Sequence, residues 1–310
     1  MKTAVFFVGE LHDNGFNASA LAGAQRASAS TQANISIVSG VPYDDDLILD
    51  LLRQIVSKHH HTVFVGGQGN KTMPTVANEN PNKLFTIIQG DHVSSNLCSY
   101  EVRQEDSAFL AGYLAARLTG SGIVSHLSGH RVRPGLKGRA AYVAGAALAE
   151  PQVEVLTSFC GTQDDNATTY RWAKAQFEAG ADILFTMLNG ARQGAIDACL
   201  KTSKKQIGNA LDWCRINPEV FLASALAGID LGVERAIKDA LDGRRPSEQV
   251  SLGLAQGDYA SLSLGDSISA DMEAELDSLT QRIALGEISV PTTYSGDEFV
   301  LPEDLNCHAF

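Results

Sequence analysis

The sequence predicts an α/β protein built from two doubly wound lobes with parallel sheets. Short apolar runs alternate with helical segments about every 25 to 35 residues, which is the spacing of parallel strands joined by helical crossovers. Roughly four strand–helix units are complete by residue 100, and the same rhythm then begins again. A chain of 310 residues with 44% hydrophobic content has enough apolar side chains for two cores.

The predicted elements run through the chain in the following order. Strands are predicted at residues 3–8, 34–38, 62–65, 84–88, 122–127, 153–157, 182–186, 206–207, 220–225, 250–254 and 259–264. Helices are predicted at residues 18–29, 42–61, 104–118, 166–179, 193–202, 230–241 and 270–285, with two more that end at Asn80 and Ala149. Because the last segments read as recrossing between lobes, we expect an N-terminal lobe of residues 1–101 plus 223–248. The C-terminal lobe is then 102–222 plus 249–310, with the ligand cleft between them.

Composition restricts the class of partner. Aspartate and glutamate outnumber lysine and arginine by 36 to 24, and the net charge of -12 argues against a nucleic-acid or acidic-membrane surface. No apolar stretch approaches the length of a membrane span. The chain enters its first strand directly from Met1, without a signal-peptide pattern. It is therefore cytoplasmic if Met1 is native, and periplasmic or exported to the cell envelope if it is a processed form.

The cysteines and the loop motifs indicate neither a redox centre nor an enzyme. The five cysteines show no CxxC or zinc spacing, so we expect buried thiols, with room for one disulfide: Cys98, Cys160, Cys199, Cys214 and Cys307. No GxSxG, HExxH or kinase series is present, and no metal site or cofactor is expected. The glycine-rich run at residues 66–70 lacks the pattern of a phosphate loop, although Gln68 in it could face a ligand.

The first turn, residues 12–17, is the strongest candidate for ligand contact. It joins an apolar strand to an alanine-rich helix, and in an open α/β sheet ligands bind at such carboxyl ends of strands. Asp13, Asn14 or Asn17 could simply cap the helix. Phe16 is not explained by capping, because a large aromatic at a polar turn is either packed or a contact surface for a flat heterocycle. Ligand contact and core packing both stay open here.

Four segments, taken in order, give the chain a family resemblance. They are DNGFN at residues 13–17, ANENPNKLF at 77–85, EDSAFLAG at 105–112 and GADILF at 180–185. These resemble the D-x-[SG]-F-N, A-x-x-N-P-x-x-x-F, E-x-x-x-F-L-A-G and G-A-D-[VI]-[IL]-F segments of the basic membrane protein family. That family of substrate-binding proteins is related to the purine nucleoside receptor of spirochaetes, within the type I periplasmic-binding superfamily. The matching segments are spread over nearly the whole chain.

The resemblance implies a fold and a function. Two lobes joined by a hinge would close over a purine base or nucleoside and deliver it to the permease and ATPase of an ABC-type importer, without chemistry on the ligand. Phe16 would stack on the base, Asn17 would hydrogen-bond it, and Asp212 would bind the sugar or a base N–H. Asn189 and Gly190 would line the second lobe. The protein would act as a monomer.

Two positions depart from the family pattern. Gln89 stands where the family has a sugar-binding aspartate, and Ala210 replaces the first aspartate of I-G-V-D-S-D, which makes a free base at least as plausible a ligand as a nucleoside. Trp213 offers either a second aromatic face or a core residue, and Arg192 adds a positive donor. The remaining candidates at the mouth of the site are His12 and Gln68.

Two other functions are compatible with the same fold. A cytosolic ligand-sensing regulatory protein would need no export signal, and a nucleoside- or sugar-processing enzyme could use the same architecture because fold does not fix function. An export signal in the precursor would favour transport over sensing. Turnover of a bound nucleoside to base and sugar would favour the enzyme.

Overall fold

The computed structural model describes residues 1–13 and 15–302 of the chain. The strands are β1 (Lys2–Val8), β2 (Asn34–Val41), β3 (His61–Val65), β4 (Leu84–Ile88), β5 (Leu97–Val102), β6 (Ile123–Ser128), β7 (Glu154–Phe159), β8 (Ile183–Met187), β9 (Lys205–Ala210), β10 (Phe221–Ala227), β11 (Val250–Leu252) and β12 (Ala260–Leu264). The helices are α1 (Phe16–Thr31), α2 (Asp45–Lys58), α3 (Gly69–Glu79), α4 (Gln104–Leu118), α5 (Arg133–Ala149), α6 (Asn166–Glu178), α7 (Arg192–Thr202), α8 (Trp213–Ile216), α9 (Ile229–Leu241) and α10 (Ala270–Ala284).

The N-terminal unit comprises residues 1–103 and 228–252 and contains one parallel sheet. Its strand order is β11-β5-β4-β3-β1-β2. Nearly all of β1 and all of β3 are buried, because a parallel sheet is covered by crossover helices on both faces. All strands run the same way, so their carboxyl ends form one edge of this sheet.

The C-terminal unit comprises residues 104–227 and 253–302 of the described chain and contains the second sheet. Its strand order is β12-β10-β9-β8-β6-β7, and only β12 runs antiparallel to its neighbour. Helices α4 and α5 pack with their backbones almost touching: a Cβ added to Gly145 would lie 2.0 Å from the carbonyl oxygen of Phe109. Glycine is required at this crossing because any side chain would overlap that carbonyl.

The predicted α/β class with two parallel-dominated sheets is confirmed. The differences from the prediction concern which unit some residues belong to and where some helices and strands begin and end. Residues 223–227 lie in the C-terminal unit, because β10 pairs with β9 and β12 there. Residues 249–252 lie in the N-terminal unit, where β11 pairs with β5. The helix predicted to continue through His61 ends at Lys58, and His61 opens β3 as a buried strand residue. β5 and α8 were absent from the predicted elements.

Helix α2 has a side-chain cap, and the described cysteines form no disulfide. Asp44 caps α2 through bonds from the Asp46 and Leu47 backbone N–H groups. Cys98, Cys160, Cys199 and Cys214 are free thiols, and Cys307 lies outside the described residues. None of the described helices is both long and apolar enough to span a bilayer.

Candidate functional site

In the N-terminal unit, the candidate residues lie at the edge formed by the carboxyl ends of the strands. The loop that follows β1 is held by Asp13, whose carboxylate accepts hydrogen bonds from the backbone N–H groups of Gly15, Asn17 and Ala18 at 3.0 to 3.1 Å. Burial raises the pKa of Asp13, while these same bonds pull it downward. Asp13 is thus the residue that caps α1, and Asn14 lies outside the described residues.

Asn17 is used mainly by its own loop. Its side-chain Nδ2 donates to the carbonyl oxygens of Val8 and Glu10, both at 2.9 Å, and the residue is buried. An amide nitrogen has two hydrogens, and both are engaged by these bonds. The predicted role of Asn17 is therefore restricted to its side-chain oxygen, with the nitrogen fixing the loop that presents Phe16.

Phe16 and Gln68 meet at the ends of the neighbouring strands β1 and β3. Both side chains lie against Gly66, where an added Cβ would be 3.9 Å from Phe16 Cε1 and 2.5 Å from Gln68 Oε1. Gly66 has a φ of +117°, a backbone conformation open to glycine alone. Phe16 and Gln68 are both partly exposed, and His12 is exposed in the preceding loop. The structure places Phe16 and Gln68 at the same edge of this sheet, and their contact with a ligand stays a prediction.

Gln89 has a structural task at the end of β4. Its Nε2 donates to the carbonyl oxygen of Val102 at 3.0 Å, and its Oε1 accepts from the Val102 N–H at 2.7 Å. The residue is 3% exposed. Because both ends of the amide bond to Val102, Gln89 behaves as an extra rung of the sheet between β4 and β5, and only the second Nε2 hydrogen is left for the predicted ligand contact.

In the C-terminal unit, the loop after β8 carries Asn189. The backbone N–H of Asn189 donates to Gln163 Oε1 at 3.1 Å, and the carbonyl of Gln163 accepts from Ala191 at 2.6 Å. Gln163, in the loop after β7, thus positions the loop after β8. Asn189 is partly exposed at this edge, as predicted from the adjacent Gly190. Sequence reasoning missed Gln163, since its role depends on two loops that are distant along the chain.

Arg192 is buried at the same sheet edge and does not lie at the mouth of the candidate site. It is 2% exposed and donates to Thr186 Oγ1 at 2.8 Å, to the Leu188 carbonyl and to Asn209 Oδ1. Its guanidinium also stacks over the Trp213 ring, 4.5 Å from the centroid. Arg192 therefore ties together the ends of β8 and β9.

Trp213 belongs to the core of the C-terminal unit. Its Nε1 donates to the Asn209 carbonyl at 3.1 Å, its ring packs 5.5 Å from that of Phe221, and it is 8% exposed. From the sequence, Trp213 could be either a second aromatic face for the ligand or a core residue, and these contacts support the core role. The ring's main cationic neighbour is Arg192 of the same unit.

Asp212, next to Trp213, has one engaged and one unengaged oxygen. Oδ2 accepts from Ser263 Oγ at 2.9 Å and from the exposed Arg215 at 3.0 Å. Oδ1 is buried and forms no hydrogen bond within the part of the chain that the structure describes. A buried carboxylate oxygen without a donor is energetically costly, which makes Oδ1 the one atom of this carboxylate that the described residues leave unsatisfied.

Comparison with known proteins assigns the family. The model of the family described as ABC transporter substrate-binding protein PnrA-like matches residues 1–294. The chain belongs to this PnrA-like family. The chain is therefore a substrate-binding protein of the ABC transporter class, and membership implies a small-molecule ligand together with permease and ATPase partners.

Individual relatives of the PnrA-like chain agree with this assignment. Basic membrane protein A of Borreliella burgdorferi is 24% identical over 310 residues, covering 97% of this chain and 91% of the relative. A solute-binding protein of an ABC transporter system from Aeropyrum pernix K1 shares the fold with a TM-score of 0.83 and 21% identity, covering 95% and 94% of the two chains. A transcriptional activator of the comK gene from Bacillus halodurans has a TM-score of 0.79 and 15% identity, covering 94% and 100%. These structural likenesses concern the fold.

The two positions that depart from the family pattern share an unusual backbone conformation. Gln89 has a φ of +64° and Ala210 a φ of +66°, both in the left-handed region that non-glycine residues seldom adopt. Aspartate and asparagine enter this region more readily than glutamine or alanine. The backbone at both strand ends thus suits the aspartate that the PnrA-like pattern leads us to expect, although this chain carries other residues there.

The described residues offer no arrangement for a metal ion. No group of three or more His, Cys, Asp or Glu side chains within residues 1–13 and 15–302 is placed to hold one. The four cysteines that the structure describes all have pKa values raised by burial, Cys199 to about 12, so only a small fraction of each thiol is in the thiolate form near pH 7.

Proposed function

We propose that this PnrA-like protein binds a purine base or nucleoside, without chemistry, in the cleft that the sequence analysis predicts. The observation that carries the proposal is Phe16, a partly exposed aromatic held at the carboxyl ends of β1 and β3 beside Gly66. Its helix is capped by Asp13 and its loop is fixed by Asn17, so the ring is presented by a rigid support. A flat heterocycle gains most from such a preorganised face.

Asp212 supports the same ligand class from the C-terminal unit. Its Oδ1 is a buried acceptor with no protein donor among the described residues, whereas its Oδ2 is already engaged by Ser263 and Arg215. A purine ring N–H or a ribose hydroxyl would satisfy Oδ1 and remove the cost of leaving it unpaired. The side chains of Asn189 and Gln68 would add amide hydrogen bonds.

Both a free purine base and its nucleoside are proposed as ligands. In place of two family carboxylates, the chain has Gln89, which is engaged with Val102, and Ala210, which has no polar side chain. A site with fewer acceptors loses hydrogen bonds to ribose hydroxyls more than it loses stacking on the base. We therefore expect a base to bind at least as well as its nucleoside.

The biological setting follows from the same proposal. The chain would act as a monomer in the periplasm or cell envelope, closing by a hinge over its ligand and passing it to the permease and ATPase of an importer. A ligand-sensing regulatory role is the second candidate, favoured by the structural likeness to the Bacillus halodurans activator. Fractionation of cells that make the full precursor separates the two, since an importer component must be found outside the cytoplasm.

Substitution of Phe16 tests the proposal. We expect Phe16→Ala to weaken purine binding about 5- to 150-fold, because stacking on an aromatic ring contributes about 1 to 3 kcal/mol per base. Calorimetric titration of the ligand-free protein with adenine, hypoxanthine, adenosine and inosine measures the change.

Two matched variants separate stacking from packing. Phe16→Leu keeps much of the apolar volume but removes the ring, so it should bind nearly as weakly as Phe16→Ala, whereas Phe16→Tyr should retain most of the affinity. Thermal unfolding of each variant shows whether α1 is intact. Equal affinity of the Ala, Leu and parent proteins would refute the stacking role of Phe16.

A further inference from the structure

The N-terminal unit contains a pocket at the edge of its sheet opposite the candidate site. The pocket has a volume of ≈ 320 Å³, and its wall includes His61 and Leu84, the first residues of β3 and β4. The other wall comes from the connection between α9 and β11, which includes Arg244 and Arg245. This volume is at the lower end of the range for small-molecule sites.

This pocket is separate from the strand ends that carry Phe16 and Gln68. Strand β3 runs from His61 to Val65, so its two ends are about 13 Å apart at 3.3 Å per residue. Gly66 and the Phe16 ring lie beyond the far end. Occupancy of the pocket and occupancy of the candidate purine site can therefore be measured independently.

The charged groups of the pocket are all positive. The residues that line it include two arginines and no aspartate or glutamate. Arg244 is neutralised by Asp239 at 2.8 Å and by Asp242 at 2.6 Å. Arg245, in contrast, has no carboxylate within 4.0 Å among the described residues, and it is exposed at the mouth of the pocket. An anion is the ligand that this guanidinium suits.

The buried wall of the pocket supplies a neutral polar group. His61 is 1% exposed, and its Nε2 shares a hydrogen bond of 2.9 Å with Thr86 Oγ1. Its Nδ1 is buried and forms no hydrogen bond to any residue that the structure describes. Burial lowers the pKa of His61 to about 4, so the imidazole is neutral near pH 7 and adds no charge of its own.

The remaining walls are mostly uncharged. Val93, Leu97 and Pro246 provide apolar surface, and Cys98 places a thiol in the same wall as Thr86. A ligand that fits must therefore be small, partly apolar and negatively charged at the end that reaches Arg245. Inorganic ions alone would leave the apolar walls uncovered.

We propose that this pocket is a second binding site, specific for a small organic carboxylate. The carboxylate binds Arg245, and the hydrocarbon body packs on Val93, Leu97 and Pro246. The site acts within the N-terminal unit and does not depend on the identity of the ligand proposed for the strand ends.

Alkylation of Cys98 provides a local measure of occupancy. Cys98 is partly exposed and lines the pocket, whereas Cys160 is partly exposed in the C-terminal unit and serves as an internal reference. We expect benzoate or butyrate to slow the alkylation of Cys98 at least severalfold, as measured by peptide mass spectrometry, and to leave Cys160 unchanged. The neutral isostere benzamide should protect much less than benzoate.

The variant Arg245→Gln tests the anion contact. It should weaken benzoate protection of Cys98 about 10-fold or more while leaving purine titrations unchanged, since Arg245 is remote from Phe16. Absence of protection by both benzoate and butyrate in the parent protein overturns the proposal, as does equal protection of Arg245→Gln. Purine binding in the same samples reports on the proposed function separately.

Discussion

The variant Arg192→Met is expected to lower the free energy of unfolding by about 2 to 5 kcal/mol. Arg192 is buried and donates to three acceptors, namely Thr186 Oγ1, the Leu188 carbonyl and Asn209 Oδ1. Methionine fills similar space but donates no hydrogen bond, so buried acceptors lose their donors at about 1 to 3 kcal/mol each, partly relieved by water or rearrangement. Denaturant unfolding measures the loss.

Arg282→Met is the matched control for this prediction. Arg282 lies in the same unit, its side chain is 53% exposed, and its nearest acidic partner, Glu287, is 3.7 Å away. An exposed pair of this kind contributes at most about 1 kcal/mol. If the Arg192 and Arg282 variants were equally stable, the bonds at the ends of β8 and β9 would not be the main support of that edge.

Acidification from pH 6.5 to pH 4 is expected to destabilise the protein strongly through two buried histidines. Burial lowers the pKa of His61 to about 4 and that of His126, which also lies near Arg139, to about 3. Both pKa values lie below the ordinary value of 6.5, so on acidification the two histidines are protonated in the unfolded chain before they are protonated in the folded one. The stabilising contribution is complete above pH 6.5 and is lost as the pH falls toward 4, by roughly 3 kcal/mol for each histidine.

The variants His61→Asn and His126→Gln separate this effect from the titration of carboxylates. Glu79, Glu234 and Asp165 have lowered pKa values and therefore reduce stability only at more acidic pH. Between pH 6.5 and 4.5, each variant should show a shallower decline in unfolding free energy than the parent, even if its stability at pH 7 is lower. A parent stability that is constant over this interval contradicts the prediction.

The sheets were predictable from sequence where the strands are continuously apolar. Strands such as β1 and β3 have few polar residues and stand out between helices. β5 was missed because it carries Cys98, Ser99 and Glu101, whose polar groups find partners only in the folded unit: Ser99 Oγ donates to the His92 carbonyl at 2.7 Å. A single sequence does not reveal such distant partners.

The candidate site was predictable in location but less so in the role of each side chain. Phe16, Gln68 and Asn189 lie at strand ends, where the neighbouring glycine and amide residues led us to expect them, and their contact with a ligand stays a prediction. Gln89 and Arg192 have the polar groups expected of ligand contacts, yet both form their hydrogen bonds with the protein's own backbone and side chains. Pattern alone cannot separate these uses, because an amide or guanidinium satisfies either partner equally well.

A thermal-shift screen of the ligand-free protein tests the central claim most directly. The panel consists of purine bases, their nucleosides, pyrimidines and simple sugars. A ligand that binds only the folded chain stabilises it by about 2.7 kcal/mol at 100 times its dissociation constant, which gives a clear rise in melting temperature. We expect purine bases to raise it at least as much as their nucleosides, with little response to sugars or pyrimidines. A folded, ligand-free protein that responds to no purine compound would contradict the claim.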